Sequence, residues 1–191
     1  MDQHAHFFYA LELPEEAKAE IQSRIEHLKK EFPFQSWVHP KDLHITLAFL
    51  GNAPNEKIEA ANERVEAAIK LQTSFELIVD RLDIFGRNDA PRVFWAGLKD
   101  SHKLTEVRQD VFAACLAAGF QLEKRPFSPH ITIARKWLGE APFSKAALGA
   151  VSPFKKDPIS FQARRVVLYK THLGKSPKYE PIEQFPLAPN E

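Results

Sequence analysis

The chain has 191 residues, 44% of them apolar and 15 of them Phe, enough for one domain or two small, closely packed lobes around a real core. Its net charge of +1 excludes the footprint of a protein that coats long nucleic acid, and no apolar run is long enough for a membrane-spanning helix. The charge is uneven: residues 1–95 carry 11 Lys and Arg against 16 Asp and Glu, net −5, and residues 96–191 carry 15 against 9, net +6, which suits a locally anionic partner approached from the C-terminal half.

The first residues lack the basic start and long apolar stretch of a secretory signal. Residues 6–13 read as a buried strand ended by Pro14. Pro14-Glu15-Glu16 opens a helix, because Pro and acids favour a first turn; Ala17, Ile21, Ile25 and Leu28 follow at helical spacing and Lys29-Lys30 close it. A Pro-interrupted loop leads to a strand over residues 43–50, ended by Gly51. Residues 54–71 form a second amphipathic helix with Ile58, Ala61, Val65, Ala68 and Ile69 inward. Two strands, about 74–85 and 92–98, flank turn material at Gly86-Arg87-Asn88-Asp89. Residues 101–118 give a third helix, closed by Gly119. Within it Cys115 has no disulfide partner and reads as a small core residue, so a reducing, cytoplasmic setting is expected. A strand follows Pro129, residues 142–156 are irregular or briefly helical, residues 159–171 read as one long strand, and residues 179–187 form the last.

Within this pattern the tetrad His44-Ile45-Thr46-Leu47 recurs as His130-Ile131-Thr132-Ile133, 130 − 44 = 86 residues later, and an alanine follows each copy. A strand sends residues i and i+2 to one face, so His44 and Thr46 face one way while Ile45, Leu47 and Phe49 pack on the other. His130 and Thr132 stand in the same relation to Ile131 and Ile133. One motif in each half predicts an α+β fold of duplicated β-α-β-type units. Two pseudo-symmetric lobes within a single domain, residues 1–191, would turn antiparallel sheets toward a central cleft and carry helices outside.

Two imidazoles and two hydroxyls around one cleft suit acid–base chemistry on an anionic group. Cleaving a phosphodiester needs one proton removed from the attacking oxygen and another given to the departing one. Histidine, with an unperturbed pKa of ~6.5, allows one copy to be neutral and the other charged, and each role is worth about 10²–10⁴ in rate. Thr46 and Thr132 can donate to the non-bridging oxygens. Arg135, with Lys124, Arg125 and Lys136 nearby, can neutralise charge in the transition state. Strict alternation places Arg135 opposite His130, so it reaches the cleft only where the strand ends or twists. Phe8 and Phe49 are candidates for stacking on a terminal base. His4 and His6, spaced i and i+2, lack a third ligand cluster, so no metal site is expected.

The paired tetrads resemble the twin signature of the two-histidine (2H) phosphoesterases, and more narrowly the RNA 2′,3′-cyclic phosphodiesterase branch, also called 2′-5′ RNA ligase. The flanks are similar as well: His6-Phe7-Phe8-Tyr9-Ala10, Trp37-Val38-His39-Pro40, Phe49-Leu50-Gly51, Arg92-Val93-Phe94-Trp95-Ala96-Gly97, Phe127-Ser128-Pro129 and Val166-Val167-Leu168-Tyr169. The resemblance implies metal-independent hydrolysis of a terminal 2′,3′-cyclic phosphate to a 2′-phosphate, without cofactor, and joining of RNA ends by the same groups run backwards. It implies that His44 protonates the departing 3′ oxygen and that His130 is the proton acceptor. The partners implied are RNA ends such as those of tRNA fragments, met by a monomer away from membranes. Two positions depart from the pattern: His6 and Ser36 stand where arginine is usual, which weakens the expected grip on a long RNA. Rival readings are a cyclic phosphodiesterase acting on a cyclic mononucleotide or an ADP-ribose cyclic phosphate, and a nucleotide- or RNA-binding module without turnover.

Overall fold

Over the described residues, 5–191, the computed structural model contains nine strands and five α-helices. In chain order these are β1 (Phe7–Glu12), α1 (Glu15–Ile25), α2 (Leu28–Glu31), β2 (Phe34–Trp37), β3 (His44–Gly51), α3 (Asn55–Ile69), β4 (Phe75–Gly86), β5 (Pro91–Leu98), α4 (His102–Ala117), β6 (His130–Trp137), α5 (Lys145–Val151), β7 (Ile159–Ala163), β8 (Arg165–Thr171) and β9 (Tyr179–Pro186). A single 3₁₀ turn, Pro40–Asp42, leads into β3. His4, half of the histidine pair weighed as a metal ligand, lies outside the described residues.

The strands form two sheets, ordered β3-β1-β8-β9 and β2-β6-β5-β4-β7, and the pairings within both are antiparallel. This is the α+β architecture of antiparallel sheets expected from the sequence, with one motif strand in each sheet. Helices α3 and α4 pack on each other and back the four-stranded sheet through β9 and β3, while α1 lies against β7 of the five-stranded sheet. Ile45, Leu47 and Tyr9 of one sheet and Ile131, Ile133 and Phe94 of the other belong to one buried cluster with Val65, Ile69 and Val111 of the helices. Burial on this scale is the main stabilising term, at about 25 cal/mol per Å² of apolar surface.

Local signals place the helix ends. Pro14 precedes α1, whose first turn carries Glu15 and Glu16. Ser101 caps α4 by accepting from the Leu104 N–H at 3.2 Å, and Gly119, at φ +92°, turns the chain away after it.

Three expectations are corrected. The strand read over residues 159–171 is two strands: β7 ends at Ala163, Arg164 is the crossing point, and β8 joins the other sheet. β7 alternates apolar residues and β8 is apolar throughout residues 166–169, with no Gly or Pro between them, so no turn residue marks the change of sheet. The loop after Pro33 contains β2, a four-residue edge strand paired with the far half of β6. The first helix stops at Ile25, and Leu28, buried as its spacing predicts, belongs to the short α2.

Candidate active site

The two motif strands approach each other across the sheets, and a cavity of about 210 Å³ opens between them. Phe8, His44, Thr46 and Phe49 line it from the four-stranded sheet, and His130, Thr132 and Arg135 from the five-stranded sheet; Val93, Thr171 and Tyr179 complete it. All seven residues named from the sequence therefore meet in one place. Lys124, Arg125 and Lys136 do not line this cavity, and Arg125 is turned onto Glu123 at 2.7 Å. A wider surface depression of about 940 Å³, near Arg164, Arg165 and Asn190, is lined by no histidine.

Two matching β-bulges bring Phe49 and Arg135 to the cavity. Between β1 and β3 the register runs Ala10↔Thr46 and then Tyr9↔Ala48, so Leu47 is an extra residue. Between β5 and β6 it runs Trp95↔Thr132 and then Phe94↔Ala134, so Ile133 is extra. A bulge of this kind sends two successive residues to one face and inverts the alternation beyond it. Leu47 with Ala48, and Ile133 with Ala134, all point inward and are buried. The following residues, Phe49 and Arg135, each five positions after its histidine, emerge on the cavity face. This corrects the expectation that Phe49 packs with Ile45 and Leu47: the residue is 53% exposed. It also removes the objection from strict alternation to Arg135.

Each imidazole is held from behind by the backbone. His44 Nδ1 donates to the Asp42 carbonyl at 2.6 Å, and His130 Nδ1 donates to the Ser128 carbonyl at 2.8 Å. A carbonyl only accepts, so Nδ1 carries a proton in both rings and Nε2 is left for chemistry. His44 Nε2 lies 3.0 Å from Thr46 Oγ1. The ring of His44 packs against Phe8 at 4.9 Å, Tyr179 at 5.1 Å and Tyr169 at 6.0 Å between centroids, and that of His130 against Phe85 at 4.8 Å and Trp95 at 5.7 Å.

These surroundings disfavour the charged form of both rings. Burial, followed by the charges of His130 and Arg135 and opposed by the Asp42 carbonyl, pushes the His44 pKa down to about 4. Burial also lowers that of His130, with Arg135 acting in the same direction and the Ser128 carbonyl opposing it. The protein surroundings alone therefore favour two neutral imidazoles at neutral pH. An anion arriving between them reverses the balance, since negative charge favours protonation.

Sequence reasoning missed Tyr179, Thr171 and Val93, because they belong to strands that carry no motif. It also passed over Asp42. The buried Asp42 carboxylate accepts from the backbone N–H groups of Lys178 at 3.0 Å and Tyr179 at 3.1 Å, and its own carbonyl holds His44. One residue thus fixes an imidazole and the tyrosine packed on it. The two departures from the family pattern flank the cavity: His6 lies edge-on to Phe49 at 5.7 Å, and Ser36 is paired with Arg135 across β2 and β6. Among the described residues no three His, Cys, Asp or Glu side chains are grouped to hold a metal ion, and no helix is long and apolar enough to cross a membrane.

Sheets, bulges and paired histidines of this kind define a two-histidine phosphoesterase. Residues 14–175 match the family described as the 2′-5′ RNA ligase superfamily, and the chain belongs to it. It is 38% identical over 186 residues to an RNA 2′,3′-cyclic phosphodiesterase of Bacillus subtilis, with 96% of this chain and 97% of that protein covered. It is 45% identical over 183 residues to the protein of the same name in Geobacillus stearothermophilus, covering 96% of this chain; the chain spans only 57% of that relative's length. Among solved structures, E. coli LigT complexed with 3′-AMP is similar at a TM-score of 0.73 and 25% identity, covering 96% of this chain and 98% of that one.

Proposed function

We propose that this chain hydrolyses the 2′,3′-cyclic phosphate at the end of an RNA to a 2′-phosphate, with His44 and His130 as the acid–base pair and without a metal ion. One observation carries the reading: two imidazoles, each anchored through Nδ1 to a carbonyl two residues earlier, line one small cavity with two threonines and Arg135. The names of the B. subtilis and G. stearothermophilus relatives and the LigT complex with a 3′-nucleotide support the choice of substrate.

In this scheme His130 Nε2 takes a proton from the attacking water, and His44 Nε2–H protonates the 3′ oxygen as its bond to phosphorus breaks. Thr46 and Thr132 donate to the non-bridging oxygens, and Arg135 offsets the charge that accumulates on them. Burial makes His44 hard to protonate, so the proton it delivers is taken up as the anionic phosphate binds. With a 5′ hydroxyl in the place of water, the same groups open the cyclic phosphate, release the 3′ oxygen and leave the two ends joined by a 2′-5′ linkage, the activity named in the family description. The substrates are RNA ends such as those of tRNA fragments, and the enzyme acts as a cytoplasmic monomer; the unpaired, buried Cys115 supports the compartment.

The test is incubation of an RNA oligonucleotide ending in a 2′,3′-cyclic phosphate in the presence of EDTA, followed by identification of the hydroxyl that keeps the phosphate. The expected product is the 2′-phosphate. His44→Asn and His130→Asn should each lower turnover by at least about 10²-fold while the far-ultraviolet spectrum is retained. Turnover that disappears with EDTA, or that survives in either variant, would refute the proposal.

A further inference from the structure

Beyond His130 the molecule carries a further concavity, of about 600 Å³, that the chemistry above does not use. Arg81, Lys99 and Arg108 line it, as do Phe127, Ser128 and Pro129, the segment that runs directly into His130. Ser128 is shared in effect by both sites, since its carbonyl holds the His130 ring. We infer that this groove is the channel for the RNA backbone upstream of the terminal phosphate, and that it distinguishes a polynucleotide from a single nucleotide. The inference rests on the RNA reading given above and extends it.

Three features support this. The first is continuity on one face. Arg81 pairs with Gly97, and Gly97 pairs with His130, so these residues form a row across β4, β5 and β6. Directly opposed residues of antiparallel strands share a face, and neighbouring strands are ~4.8 Å apart, so Arg81 starts about 10 Å from His130. That is within reach of the next phosphate along an extended strand. Gly97 matters here, because a Cβ at that position would lie 2.8 Å from Arg81 Cγ and Nε. The missing side chain lets the arginine lie across the sheet toward the groove.

The second is a preorganised cation. The Arg108 guanidinium lies over the rings of Phe112 at 3.9 Å and Phe127 at 5.2 Å. An arginine held against aromatic rings has its charge fixed in place and is suited to a phosphate or to a base plane. The third is the sign of the lining. Lys99 and Arg108 stand against one carboxylate on the rim, Asp100, while Arg81 is paired with Asp80 at 3.1 Å and donates to the Leu98 carbonyl at 2.5 Å, and Glu106 is engaged with His102 and Lys103. Lys99 and Arg108 also belong to the positive half of the chain.

Direct binding tests this independently of turnover. A fluorescent heptanucleotide RNA ending in a 2′-phosphate is titrated with wild type, Lys99→Glu and Arg108→Gln at several salt concentrations, with adenosine 2′-phosphate as the single-nucleotide probe. Each variant should bind the heptamer about 5- to 10-fold more weakly, with a salt slope reduced by about 0.7 for each phosphate no longer neutralised. Affinity for the mononucleotide should stay within about twofold, because the groove lies outside the cavity that takes the terminal phosphate. Heptamer binding unchanged in Lys99→Glu, or mononucleotide binding reduced as much as heptamer binding, would overturn the proposal. Lys99 is exposed and lies outside the core, so its variant remains informative if Arg108→Gln folds poorly. Failure of the cyclic phosphodiesterase assay leaves this measurement intact, which keeps the two readings separable.

Discussion

Replacing His44 with Asn should make the fold less sensitive to acid. The asparagine side chain retains an amide donor near the position of Nδ1, facing the Asp42 carbonyl, but cannot take up a proton. Burial lowers the His44 pKa from 6.5 to about 4 in the folded chain, so on acidification the unfolded chain binds its proton first. Stability from this group is therefore complete above pH ~6.5 and is lost as the pH falls toward 4. One pKa unit corresponds to ~1.36 kcal/mol, and between pH 7 and pH 4.5 the linkage amounts to about 2 kcal/mol. That is a sizeable share of a typical net stability of ~5–15 kcal/mol. Urea unfolding at the two pH values reads it directly. The wild-type midpoint should fall between pH 7 and 4.5 by roughly 1 M more than that of His44→Asn, for a urea dependence of ~2 kcal/mol per M. The burial of His130 is common to both proteins and cancels in the comparison. If both lose the same stability on acidification, the His44 ring is not desolvated in the way its packing against Phe8, Tyr169 and Tyr179 requires.

Arg135→Ala removes a cation from the cavity and should reduce kcat/KM on the cyclic-phosphate RNA by about 10²-fold. Because Arg135 depresses the pKa of both histidines, its removal should also move the pH–rate profile to higher pH; an unchanged profile would separate Arg135 from the reaction. Ala134→Leu forces a large side chain into the inward pair made by the second bulge, where Ala134 is fully buried, and should destabilise the fold by about 1–3 kcal/mol in urea unfolding. A destabilisation below the error of the measurement would mean that the bulge has room to spare.

Much of the fold and site is legible in the sequence because the motif strands combine two signals. Period-2 alternation marks His44 and His130 as facing away from the isoleucines beside them, and duplication of the polar pair shows that neither histidine is incidental. Alternation fails two residues past each threonine, at Ala48 and Ala134. A bulge depends on how a strand registers with its neighbour, which periodicity within one strand does not encode; the alanine after each tetrad is its only local trace. The same limit explains why residues 159–171 read as one strand: strand-forming residues run on either side of Arg164-Arg165 without a Gly or Pro, although the partner sheet changes. Thr171 and Tyr179 reach the cavity through pairing of β8 with β1 and of β9 with β8, a tertiary fact with no counterpart in local pattern. Asp42 is legible only as a polar residue before the motif, since its role depends on backbone groups 136 and 137 positions away.

The return of the chain to its starting sheet has a consequence for assembly. β1 is flanked by β3 on one side and by β8 on the other, and Phe8 pairs with Tyr169, far along the sequence. During synthesis His44 emerges well before Tyr169 and Tyr179, so the aromatic floor beneath it is completed only after both motif strands have been made. Contacts this far apart in sequence are slow to form, and until they do β1 presents an open edge. A chain released before residue 165 would thus contain both tetrads and still lack a finished reaction chamber.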